Sequence, residues 1–186
     1  EERLDRFRAR GELERVKAIY LVPYFDNPAG VTMPADRRAA VVEIAKRWSR
    51  HHKIHVISDE AYRELRYWGE DIPSLWTCDE DRDTVIVAGT FSKSFASLGG
   101  FIVGDKEVIE YIRHHSPAHI FSASMPPANV ATVLKALEIL QEEHWRLERL
   151  QEISNYMRKE LREMGFNVWS SQTPIIPVVI GEMIEC

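Results

Sequence analysis

Along the first hundred residues, apolar positions gather in short runs separated by polar punctuation. VKAIYLVPYF (16–25) is an apolar run of strand length, closed by the turn signal DNPAG. PADRRAAVVEIAKRWSRHH (34–52) predicts a helix. Pro34 suits its first turn, and Ala40, Ile44, Ala45 and Trp48 recur at helical spacing. KIHVISDE (53–60) predicts a second strand that ends at two carboxylates. DTVIVAGT (83–90) predicts a third and GGFIVG (99–104) a fourth, followed by a helix from about Asp105 to His114. Residues 1–15 are charged, with weak helical periodicity. From Pro127 the pattern becomes helical almost throughout, as one long helix or a broken pair, with Gly165 as its stop. FNVWSS and PIIPVVIG then predict strands of a smaller unit.

Strands alternating with helices predict an α/β fold, a mostly parallel sheet with flanking helices. The expected division is a partial large domain over 1–126, a connecting helical segment over 127–164, and the start of a small α+β C-terminal domain over 165–186. In such sheets ligands sit beyond the carboxyl ends of the strands. Three polar clusters fall there: Asp26-Asn27, Asp59 with Tyr62, and Thr90 to Lys93. Lys93 stands between two serines after an apolar run, in IVAGTFSKSFASLGG (86–100). Alone, that stretch favours an ordinary solvated turn over a site. The coincidence of three clusters at three strand ends favours a site.

Composition narrows the classes. The net charge of −5 and pI near 5.8 supply no basic surface for nucleic acid. No stretch approaches the ~20 consecutive apolar residues of a membrane span. Cys78 and Cys186 make no disulfide framework, which fits a reducing cytoplasm. The chain opens on Glu1 and stops just after a strand-like run, so it reads as a segment of something longer. HHKIH (51–55) straddles a helix end and a strand start, without the further ligands a metal site needs. His114 and His115 suit the negative end of a helix, and the charged stretch 142–163 reads as a solvated helix face.

A lysine among hydroxyls can hold a phosphate, act as a base or form a Schiff base with a carbonyl. A carboxylate at the neighbouring strand end narrows this. Pyridoxal 5′-phosphate needs a lysine for its aldehyde, a carboxylate for its ring nitrogen, and donors for its phenolate oxygen and phosphate. The ordered set DNPAG (26–30), ISDEAY (57–62) and GTFSK (89–93) resembles the pyridoxal-phosphate-dependent enzymes of the aspartate aminotransferase fold, fold type I. The resemblance implies that Lys93 is the Schiff-base lysine and that Asp59 pairs with the pyridine nitrogen. It also implies that Asn27 and Tyr62 hold the phenolate oxygen and that Thr90 and Ser92 contact the phosphate.

The resemblance divides at the lysine. Residues 1–95 are similar to class I/II aminotransferases, by the Asn-Pro-x-Gly turn and the tyrosine three residues after the aspartate. Residues 89–186 are similar to α-oxoamine synthases such as serine palmitoyltransferase, by SFASLGGF, IFSASMPP (120–127) and TPIIPVVIG (173–181). Those synthases usually carry histidine where this chain has Tyr62. Aminotransferases of the first type usually carry a phosphate-binding arginine where it has Phe101. A hybrid joined at GTFSKSF and a natural member with a mixed set are both open. In the resembled synthases IFSASMPP lies at a subunit interface, so Ser122 and Ser124 are expected to offer hydroxyls to a partner's cofactor phosphate, and the full-length parent is expected to be a homodimer.

Three functions follow from the resemblance. An aminotransferase would use an amino acid and a 2-oxo acid; an α-oxoamine synthase would condense an amino acid with an acyl-CoA; an incomplete module would keep the fold without turnover. The ring-contacting residues favour the first. The family's phosphate-cradling turn and its arginine for the substrate carboxylate are expected before Glu1 and after Cys186.

Overall fold

The computed structural model describes residues 1–65, 71–171 and 173–181. Four strands, β1 (Ala18–Leu21), β2 (His55–Asp59), β3 (Val85–Thr90) and β4 (Gly100–Val103), form one sheet in that spatial order. The first three run parallel, and β4 returns antiparallel to β3. The registers Tyr20↔Ile57, Asp59↔Ala88 and Thr90↔Gly100 set the strand ends side by side. Among the described residues six α-helices accompany the sheet: α1 (Glu2–Ala9), α2 (Ala35–Trp48), α3 (Lys106–His115), α4 (Pro117–Ile120), α5 (Pro127–Glu142) and α6 (Trp145–Glu163). The expected α/β class with a mostly parallel sheet is the observed one.

The main core lies between α2 and one face of the sheet. Val42 and Ala45 of α2 meet Val56, Val85 and Leu75, the last from a 3₁₀ turn (Leu75–Cys78). A smaller cluster, Leu4, Leu13, Trp48 and Ile54, closes the lower end. The buried stripe of α2 is Arg38, Val42, Ala45 and Trp48, not the stripe through Ala40 and Ile44 that apolar spacing predicts. Arg38 takes an inward position because every side of its guanidinium finds a carbonyl. Nε donates to Met33 O (2.9 Å), Nη1 to Pro73 O (2.8 Å) and Nη2 to Pro23 O (2.9 Å). Hydrogen bonding of this completeness is what lets a charge be buried.

Two further expectations change. The strand expected over 16–25 is ordered as β1 for only four residues. Pro23 lacks an N–H, and Tyr24 turns inward to donate its hydroxyl to Ile72 O (2.6 Å). The strands expected from FNVWSS and PIIPVVIG reduce to one isolated antiparallel bridge, Asn167↔Val179. Pro174 and Pro177 remove two backbone donors from that run. The end of the expected C-terminal unit, including Cys186, falls outside the described residues. The helical stretch from Pro127 is the broken pair. The Glu143 carboxylate accepts from Trp145 Nε1 (3.1 Å) and Arg146 Nε (2.9 Å), which starts α6 afresh.

Candidate active site

The three polar clusters lie at the carboxyl ends of β1, β2 and β3. Asp59 closes β2. Its Oδ1 accepts from the Ala61 backbone N–H (3.1 Å) and its Oδ2 from the Tyr20 hydroxyl (2.6 Å). The Tyr20 phenol is pushed up to about 12, first by its hydrogen bond to Asp59, then by burial and by the negative charge of Asp59 and Asp26. Ionising that phenol would put a second negative charge against the carboxylate.

Lys93 follows β3 in a solvent-facing turn. Its Nζ sits 5.6 Å from the centroid of the Tyr62 ring, within cation–π range. Tyr62 stands three residues past Asp59, so this contact ties the lysine turn to the end of β2. Thr90 and Ser92 share a hydroxyl–hydroxyl hydrogen bond of 2.9 Å, and the Ser92 N–H donates to Thr90 Oγ1 (3.2 Å). Two close approaches shape this end of the sheet. A Cβ on Gly100 would come within 2.4 Å of Gly89 O, and one on Gly89 would meet the Phe101 ring at 2.6 Å. The Phe101 ring therefore occupies the space over Gly89 where a side chain would otherwise stand.

Asn27 is exposed in the loop between β1 and α2. That loop is closed at its base by Met33 N–H on Pro23 O (2.9 Å) and by Arg38, and within it Gly30 N–H reaches Asp26 O (2.5 Å). Gly30 holds φ +65°, and a Cβ there would strike Ser171 Oγ at 2.2 Å. Residues near the far end of the chain thus pack directly on the Asn27 turn.

Tyr62 and Lys93 are brought together, as are Thr90 and Ser92. Ser122 and Ser124 are not joined to them by any hydrogen bond among the described residues. Both are exposed after α4, and the Ser122 hydroxyl donates to the Ala118 carbonyl. Their segment is nonetheless anchored beside the lysine turn. Met125 lies against Gly99, and Asn129 Nδ2 donates to Ser97 Oγ (3.2 Å). Sequence reasoning missed Tyr20, Arg38, Met125 and Asn129. The first two left signals: a tyrosine at an outward strand position, and an arginine in helical line with Val42 and Ala45. Among the described residues, no group of three or more His, Cys, Asp or Glu could hold a metal, and no helix is long and apolar enough to cross a membrane.

The chain is similar to known proteins. The serine palmitoyltransferase of Sphingobacterium spiritivorum is 48% identical over 95 residues, covering 51% of this chain and 24% of that protein. That of Bacteriovorax stolpii is 39% identical over 146 residues, covering 78% of this chain and 34% of that protein. The chain thus spans between a quarter and about a third of the length of these curated relatives. Among solved structures, an archaeal alanine:glyoxylate aminotransferase superposes with a TM-score of 0.68 at 32% identity, over 87% of this chain and 39% of that one. A serine palmitoyltransferase from S. paucimobilis with a bound PLP-myriocin aldimine gives 0.67 at 25% identity, over 98% of this chain and 46% of that one. The family described as aminotransferase class I and II matches residues 7–185, nearly the whole chain. With strand-end clusters in the order that the resemblance requires and a family match of that extent, the chain belongs to the class I and II aminotransferase family.

Proposed function

We propose that the strand-end cluster holds pyridoxal 5′-phosphate and serves aminotransferase-type chemistry on an amino acid and a 2-oxo acid. The observation that carries this reading is the Lys93 ammonium over the Tyr62 ring at 5.6 Å, which sets an amine next to the carboxylate-bearing end of β2. The donor set suits the group in kind: an exposed amine, a carboxylate held on both oxygens, a phenol, an amide and two paired hydroxyls. When bound, the cofactor supplies an aldehyde for an amine and an electron sink for the substrate α-carbon.

The chain's own residues divide the remaining work. Lys93 Nζ would hold the aldehyde carbon and, when released, carry a proton to or from the substrate α-carbon. Asp59 would accept from the protonated ring nitrogen. The Asn27 amide and the Tyr62 hydroxyl would donate to the phenolate oxygen. Thr90 and Ser92 would donate to the phosphate, and in a homodimer Ser122 and Ser124 would do so for the partner subunit. A cytoplasmic location follows from the same reading.

A second reading is α-oxoamine synthesis from an amino acid and an acyl-CoA. It is favoured by the 48% identity to a serine palmitoyltransferase. Borohydride reduction of the chain with pyridoxal phosphate, followed by peptide mass mapping, tests the site. The label is expected on Lys93 and is expected to vanish in Lys93→Ala. A label elsewhere, or one retained in that variant, overturns the reading. Amino-group transfer to a 2-oxo acid favours the first chemistry. Release of CoA thiol from an acyl-CoA favours the second, and a labelled chain doing neither is an incomplete module.

A further inference from the structure

Asp59 is the one carboxylate at the strand ends to which the proposed function gives a directional task. A carboxylate can rotate about its Cβ–Cγ bond, and its usefulness to a ring nitrogen depends on which lone pairs face the ring. Two donors remove that freedom here. The Ala61 N–H holds Oδ1 from its own chain end, and the Tyr20 hydroxyl holds Oδ2 from the neighbouring strand. The Tyr20 bond is not a local accident. Tyr20 pairs in register with Ile57, so Tyr20, Ile57 and Asp59 project from the same face of the sheet, one step apart. With one lone pair on each oxygen engaged, one on each stays available.

We propose that Tyr20 is a positioning residue that fixes the plane of the Asp59 carboxylate for the cofactor's ring nitrogen. The inference rests on the cofactor reading above. Tyr20 is 61% exposed, so its ring contributes little to the core and its hydroxyl can be removed without a cavity. The charged and titratable groups facing it are Asp59, Asp26 and Tyr62. Of these, only Asp59 is hydrogen-bonded to it.

The experiment is a double-mutant cycle on the full chain, read by the Kd for pyridoxal phosphate from the absorbance of the bound form. Tyr20→Phe is expected to raise Kd about tenfold in the wild type and less than twofold in Asp59→Ala, because the hydroxyl acts only through that carboxylate. A merely structural role would give equal losses in both backgrounds, which overturns the proposal, as does an unchanged Kd in Tyr20→Phe. A cofactor-free arm follows the phenol by ultraviolet difference titration against Tyr20→Phe, with circular dichroism to verify folding. At pH 11 the Tyr20 phenol should remain mostly protonated in the wild type and be mostly ionised in Asp59→Ala. Ionisation at the ordinary tyrosine value in the wild type overturns the proposal whether or not cofactor binds. A wild-type chain that takes up no pyridoxal phosphate overturns the site reading and this role with it, even if the phenol titrates high, so the two failures are told apart.

Discussion

The two faces of the sheet are built to different ends. One face carries Val56, Ser58 and Val85 into a closed core against α2 and the Leu75 turn. The other carries Ile86, which is buried, and Tyr20, Ile57, Asp59, Ala88 and Ile102, which stay partly or largely open. Along β2 the burial alternates residue by residue, half-buried then buried, which is the pleat written as accessibility. Two of the later helices are open as well: α3 and α5 bury none of their residues. Most of the packing therefore resides on one side of the sheet, and the proposed site lies on the rim of the other.

The largest break in this division should come from Arg38. Arg38→Met keeps the stem but leaves the carbonyls of Met33 and Pro73 without their donor, and that of Pro23 with the Met33 N–H alone. At about 1–3 kcal/mol per orphaned group, a loss of about 4 kcal/mol is expected in urea unfolding. A loss below about 1 kcal/mol would show that water reaches the guanidinium site. A matched pair then measures the faces directly. Leu75→Ala, on the packed face, should cost about 3 kcal/mol, and Ile102→Ala, 48% exposed on the open face, less than about 1 kcal/mol. Equal costs would mean that the open face is covered in solution.

The smallest effect concerns His55, on the open face at the start of β2. Its pKa is lowered, first by burial and then by Lys53. The folded chain therefore binds fewer protons there than the unfolded chain. The contribution is present above the unfolded value near 6.5 and is lost as pH falls through it towards the folded pKa. Solvent screens this half-exposed ring, so His55→Gln should flatten the acid side of the stability profile by well under about 1 kcal/mol. An unchanged slope between pH 7 and 5 would show that the ring is hydrated in the folded chain.

Much of this arrangement was legible from local pattern. The apolar runs at 53–60 and 83–90 end within a residue of where β2 and β3 end, at Asp59 and Thr90. The order of DNPAG, ISDEAY and GTFSK carried the family, since those residue types at successive strand ends match one cofactor's needs. Helical spacing placed α2 within a few residues of its observed bounds.

What the chain alone determined is the alternation of strand and helix and the chemistry at each strand end. Both depend on neighbours a few residues apart. Only the tertiary structure decided which side chains complete that chemistry. Tyr20 meets Asp59 across 39 residues of sequence, and the register of β1 on β2 makes the meeting possible. Arg38 is inside because loops at 23, 33 and 73 converge on it, although its residue type belongs on a surface. Met125 lies on Gly99 because the returning chain needs a position without a Cβ. Such contacts depend on distances closed by folding, and no pattern confined to a window of sequence contains them.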